Sequence, residues 1–117
     1  MKLTPQLEEF LTKQFIFYCK RMEVDLPMLL YRDEELGGMV NSYKEFKSLK
    51  DGVLGESWHR NDTELDYDIV YINVDGSDYL AQLIDTIVHE LVHLKYPKAR
   101  HGMGFQKRIN TIMMESM

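Results

Sequence analysis

The sequence predicts a single α+β domain over residues 1–117, and three observations carry that reading. Residues 5–21 repeat apolar side chains every three to four positions behind a Thr-Pro start. Residues 65–74 alternate with period two and are rich in β-branched and aromatic residues. Residues 78–95 form a far more apolar helical run, and a last amphipathic stretch follows it.

Taken in order, Thr4 is placed to cap a helix that has Pro5 in its first turn. Leu7, Phe10, Leu11, Phe15 (or Gln14), Tyr18 and Met22 then mark one face of a helix from Pro5 to Arg21. The aromatic stripe Phe10, Phe15, Phe17 and Tyr18 reads as core. Val24-Asp25-Leu26-Pro27 ends the helix, and Met28–Arg32 is a short apolar strand. Asp33-Glu34-Glu35 reads as a solvated turn, and Gly37-Gly38 punctuates. Met39, Val40, Tyr43 and Phe46 suit either a strand or a short helix, and Lys50-Asp51-Gly52 is a turn.

Val53–His59 reads as a strand and Leu65–Val74 as another, buried toward its C-terminal half. Asp75 and Asp78 lack further ligands at calcium-loop spacing, so they read as a turn and a helix N-cap. From Asp78 a helix runs to Lys95, where Leu80, Leu83, Ile84, Ile87, Val88, Leu91 and Val92 give a wide apolar face. Tyr96-Pro97 stops it. A loop with Gly102 and Gly104 leads to the C-terminal helix of Phe105, Ile109, Ile112 and Met113.

The central helix carries His89-Glu90-Leu91-Val92-His93, an HExxH pattern. Four residues advance about 40° past one helical turn, so both imidazoles point the same way and can close on one metal ion. Glu90 projects beside that ion, where it can accept a proton from water. A catalytic zinc site uses three protein ligands and keeps one position open. Downstream of His93 the candidates for the third are His101 and Glu115. His101 follows Pro97 at loop distance and is favoured, while Glu115 lies near the chain end. The pattern HExxHxxGxxH is excluded, because Tyr96 and Ala99 stand where it needs glycine and histidine. The chemistry indicated is zinc-dependent hydrolysis of peptide bonds, with Glu90 as general base and His89, His93 and His101 as metal ligands.

Around this site, Asp85 lies one turn before His89 and either orients a ligand imidazole or is an exposed acid near a helix start. Tyr96 and Tyr71 are candidates for a second oxyanion stabiliser. His59, on the expected strand, reads as a surface or core histidine rather than a fourth ligand.

Composition narrows the setting. The net charge is −5, with −9 in residues 1–90 and +4 in residues 91–117. The basic end (Lys95, Lys98, Arg100, Lys107, Arg108) suits a helix C-terminus and a solvated face better than a nucleic-acid surface, since the whole chain is acidic. The lone Cys19 excludes an internal disulfide and a four-cysteine zinc ribbon, and fits a reducing cytoplasm. No run approaches the roughly 20 apolar residues of a membrane span, and no export signal is visible.

Thr86-Ile87-Val88-His89-Glu90-Leu91-Val92-His93, then His101-Gly102-x-x-Phe105 and Ile109-Asn110, resembles the SprT-like metallopeptidases. That group includes the Spartan-type proteases that degrade DNA–protein crosslinks. The resemblance spans roughly residues 53–113. It implies a zincin-like core, with an active-site helix and a small mixed sheet whose edge strand binds peptide as an added strand. It also implies a metal held by His89, His93 and His101. The interval from His93 to His101 is shorter than in many members, and the cysteine ribbon is absent. In that short interval the chain is also similar to minimal stand-alone HExxH proteins, including the very small minigluzincins, whose third ligand is a glutamate.

The function expected is therefore a small cytoplasmic zinc endopeptidase acting on protein or peptide. Two other expectations compete with it. One is a DNA-dependent protease, prompted by the basic end. The other is a zinc-binding regulatory or interaction domain with little turnover, which the eight methionines would suit and which self-association would resemble.

Overall fold

The structure, a computed structural model, describes residues 1–40, 53–97 and 103–115, and within the last stretch the side chains from residue 106 onward. Its first helix, α1 (Pro5–Met22), begins as the sequence dictates. The Thr4 hydroxyl accepts the Leu7 N–H at 3.1 Å, and Pro5 occupies the first turn. Leu11, Phe15, Tyr18, Cys19 and Met22 are buried. The aromatic stripe divides, however. Phe15 and Tyr18 enter the core, whereas Phe10 and Phe17 are exposed, because four aromatics at those spacings wrap more of the helix than one buried face covers. Burial pushes the Cys19 thiol up to about 12, which keeps it protonated and unreactive.

Helix α1 ends on Glu23, which adopts φ 56° and ψ 45°. That left-handed turn lets the Val24 N–H reach the Cys19 carbonyl at 2.9 Å. A residue with a Cβ is strained there. Glu23→Gly is therefore expected to stabilise the fold by about 0.5–1 kcal/mol, read as a higher urea midpoint with unchanged slope.

Among the described residues the sheet has three strands, β1 (Met28–Leu30), β2 (Gly55–Trp58) and β3 (Ile69–Ile72), in the order β1-β3-β2. It is mixed. β1 runs parallel to β3, with Met28 opposite Ile69, and β2 runs antiparallel, with Gly55 opposite Ile72 and Trp58 opposite Ile69. The expected strand over 65–74 contracts to four residues. Alternation continues through 65–68, but the paired register covers only 69–72, with single flanking bonds from the Met28 N–H to the Asp68 carbonyl and from the Asn73 N–H to the Leu54 carbonyl, and unpaired backbone does not hold a strand. Upstream, the Thr63 hydroxyl accepts the Leu65 N–H at 3.1 Å in a local turn. The other two strands are likewise trimmed at their ends.

β3 is buried on both faces. Val70 and Ile72 join the main core with α1 and the long helix α3 (Leu80–Lys95). Ile69 and Tyr71 face the other way, into a smaller cluster with Leu30, Leu36 and Val40. That second face explains a departure from expectation. Asp33-Glu34-Glu35 opens a short helix, α2 (Asp33–Gly37), rather than a turn. Its three acids lie in the first turn, where the helix dipole favours negative charge, and Leu36 is driven fully into the cluster.

The turn from β3 into α3 is built on Asn73. Its side chain donates to the Val53 carbonyl at 2.8 Å and accepts the Gly76 N–H at 3.0 Å. Asp75 and Asp78 thus belong to a turn, as expected. The N-cap is Tyr79 rather than Asp78, and the Asp78 N–H is taken by the Gln82 side chain at 2.8 Å. The last helix, α4 (Met103–Glu115), packs Ile109 into the core with Ile112 and Met113 against it. The readings placed on residues 41–52, and on the Phe105 side chain, lie outside what is described. Among the described residues there are thus four α-helices and one small mixed sheet, and no helix is long and apolar enough to cross a membrane.

Candidate metal centre

Helix α3 divides its surface between two tasks. Leu83, Ile87, Val88, Leu91 and Val92 are fully buried in the core. The flank carrying His89 and His93 stays half-buried, at the wall of a cleft of about 320 Å³. The two Nε2 atoms are 3.1 Å apart, with the rings edge-on at 72° and centroids 4.8 Å apart. Two nitrogens sharing a tetrahedral zinc at bond lengths of about 2.0–2.1 Å stand about 3.3 Å apart. The imidazole pair therefore fits one ion. The ligand atoms of His89, Glu90 and His93 gather within 4.8 Å of one another, a group able to bind a metal ion.

Glu90 differs from its neighbours. It is only 4% exposed, because its side chain lies against β2 at the floor of the cleft that it helps to line. Desolvation pushes its carboxyl up to about 8, and the nearby Glu56 carboxylate pushes the same way. The Ser57 hydroxyl donates to it and partly offsets the rise. Gly55 makes the approach possible. A Cβ there would stand 2.6 Å from Thr86 Cγ2, 3.1 Å from Glu90 Oε2 and 3.1 Å from the Tyr71 carbonyl oxygen.

Among the described residues β2 is an edge strand, paired with β3 on one side, and Gly55, Glu56 and Ser57 wall the cleft opposite α3. Burial raises the Glu56 carboxyl above its ordinary range, while that carboxylate accepts the Ser57 backbone N–H. Past the strand, His59 and Asp62 complete the wall, and Pro97 closes the end beyond α3.

No protein family, curated protein or solved structure matches the chain.

The residues singled out from sequence fall into three groups. His89, Glu90 and His93 come together. His101 lies outside the described residues. The others point elsewhere. Glu115 turns to the end of α1, where Arg21 Nη2 meets its Oε2 at 3.4 Å, and it is not part of the metal-binding group. Tyr71 belongs to the cluster on the sheet face away from α3. Tyr96 lies beneath the Arg108 guanidinium, 4.3 Å from ring centroid to Cζ. Asp85 is exposed.

The basic end is also partly committed. Lys95 donates to the Met22 carbonyl and Arg108 stacks on Tyr96, while Lys98 and Arg100 lie outside the described residues.

His59, read as a surface or core histidine rather than a fourth ligand, is half-buried, stands outside the metal-binding group and lines the same cleft as the HExxH residues. Sequence reasoning missed Gly55, Ser57 and Asp62. One signal was available for Gly55: an isolated glycine inside a strand pattern marks close backbone approach. The others reach the site through sheet register and a turn, which local periodicity does not encode.

Proposed function

We propose that the chain is a small zinc-dependent endopeptidase with a zincin-like core, related in design to the SprT-like group. The observation that carries this reading is the pair of Nε2 atoms 3.1 Å apart with a buried carboxyl beside them, at the wall of a cleft bordered by an edge strand. His89 and His93 would hold the ion, with His101 as third ligand. When bound, zinc supplies Lewis-acid polarisation of a carbonyl and an acidified water.

The chain's own residues account for the rest. Glu90 takes a proton from the attacking water and delivers it to the leaving amine nitrogen. Its desolvation strengthens it as a base, because the charged carboxylate is disfavoured when buried. With an ion held by His89 and His93, the same group would be drawn back toward its ionised form. Ser57 and Gly55 fix the carboxylate's position. β2 offers an edge onto which an extended peptide can add, laying its scissile bond along the cleft.

The test is cleavage of an unfolded protein by the zinc-loaded chain. His93→Ala should lose both bound zinc and cleavage, and chelation should abolish turnover that zinc then restores. Cleavage that persists in chelated protein, or stoichiometric zinc without any cleavage, would overturn the proposal. The second outcome would identify a zinc-binding interaction domain instead.

A further inference from the structure

We propose that His59 is a substrate-facing hydrogen-bond donor of this site, presenting Nε2–H to the carbonyl oxygen as it gains negative charge. The inference rests on the endopeptidase reading and adds to it a second stabiliser of the reacting oxygen.

Three observations converge on His59. It lines the cleft that His89, Glu90 and His93 line, yet it stands outside the group of atoms able to share an ion. A position in the cleft but off the metal-binding group suits contact with substrate rather than with metal. Its ring is also fixed in one tautomer. His59 Nδ1 accepts the Asn61 backbone N–H at 3.2 Å, so the neutral ring carries its proton on Nε2.

The turn that presents His59 is anchored as well. His59 caps the 3₁₀ turn Arg60–Asp62, and its carbonyl accepts the Asp62 N–H at 2.8 Å. The next residue is tied down twice by Asp68. The Asp68 carboxylate accepts the Arg60 backbone N–H at 2.7 Å and pairs with the guanidinium at 3.3 Å. Asp68 is itself buried, and the Arg60 pairing holds its carboxyl below the usual range against the opposing effect of desolvation. A donor fixed in tautomer and held on an anchored turn is preorganised for charge that develops in the transition state. The two tyrosine candidates for this role, Tyr71 and Tyr96, lie in the second core cluster and beneath Arg108.

The test uses two variants of the zinc-loaded chain. His59→Asn keeps a side-chain oxygen able to accept the Asn61 N–H, so the turn stays capped while the distal donor is removed. His59→Gln restores an N–H donor farther out along the side chain. The readouts are kcat and KM on a peptide, the affinity for a peptidyl phosphinate that mimics the tetrahedral oxygen, and bound zinc. Long-range ¹H–¹⁵N imidazole spectra of the wild type supply the tautomer.

His59→Asn should lower kcat about 10²-fold, with KM little changed. Phosphinate affinity should fall by a similar factor and zinc should stay stoichiometric. His59→Gln should recover part of both losses, and the wild-type spectra should place the proton on Nε2. Unchanged kcat and phosphinate affinity in His59→Asn would overturn the assignment while leaving the endopeptidase reading intact. Loss of zinc in that variant, or a proton on Nδ1, would overturn it too. A wild-type protein that binds zinc but neither cleaves peptide nor binds the phosphinate would remove both readings together.

Discussion

Glu90→Gln should lower kcat by about 10²–10⁴-fold while zinc remains stoichiometric. The amide is nearly isosteric with the carboxyl and can occupy the same space between α3 and β2, so the ligand imidazoles are undisturbed. It cannot accept the proton, and that is the function removed. Zinc analysis alongside single-turnover cleavage separates the two effects, and cleavage that survives the substitution would sink the mechanism.

The same variant should change stability with a definite sign. In the metal-free protein the Glu90 carboxyl sits at about 8, against an ordinary value of 4.5. The fold therefore favours the protonated side chain. Its contribution is complete below about pH 4.5 and is lost as pH rises through about 8. The amide of Glu90→Gln is neutral throughout. Metal-free variant and wild type should be nearly equal at about pH 4, and the variant should pull ahead toward about pH 9, by up to about 5 kcal/mol. Urea titrations across that range measure the difference. Equal pH dependence in the two proteins would show that Glu90 does not carry the desolvation cost.

Gly55→Ala should be unusually damaging for a substitution of glycine in a strand. The new methyl group would meet Thr86 Cγ2 at 2.6 Å and the Tyr71 carbonyl oxygen at 3.1 Å. One of those atoms is backbone in the central strand and cannot rotate away. Overpacking of this kind costs about 1–3 kcal/mol. Activity should fall further than stability, because β2 must move off α3 and Glu90 Oε2 stands 3.1 Å from the same point. Thr86→Ser can remove the methyl of the closest contact. The double variant should therefore be less destabilised than the sum of the singles, a coupling read from the four urea midpoints. Strict additivity would mean that the strand relaxes by another route.

What was legible in the sequence was whatever a local pattern encodes. Thr4-Pro5 sets the start of α1, Tyr96-Pro97 stops α3, and the HExxH spacing stacks two imidazoles on one flank. What stayed hidden depends on partners distant in the chain. The alternation of residues 65–74 could not show that the paired register covers only 69–72. The acid run at residues 33–35 looked solvated because a single residue, Leu36, carries the burial that makes it a helix. The wall opposite HExxH arises from the register Gly55–Ile72 and Ser57–Val70, which places Gly55 and Ser57 against Glu90. His59 arrives there through the turn that follows.

The strand order carries a consequence for biosynthesis. Among the described residues β3 is the last strand in sequence but the middle one in space, and both earlier strands pair with it and not with each other. A nascent chain that has not yet reached residue 69 lacks the strand with which β1 and β2 pair, and closing the β1–β3 pair spans about forty residues of intervening chain. α1 and β1 must therefore wait, with their apolar faces unsatisfied, for the segment that immediately precedes α3. Assembly of the sheet and delivery of His89, Glu90 and His93 are consequently late and nearly simultaneous events. An incomplete chain ending before β3 would be a client for chaperones.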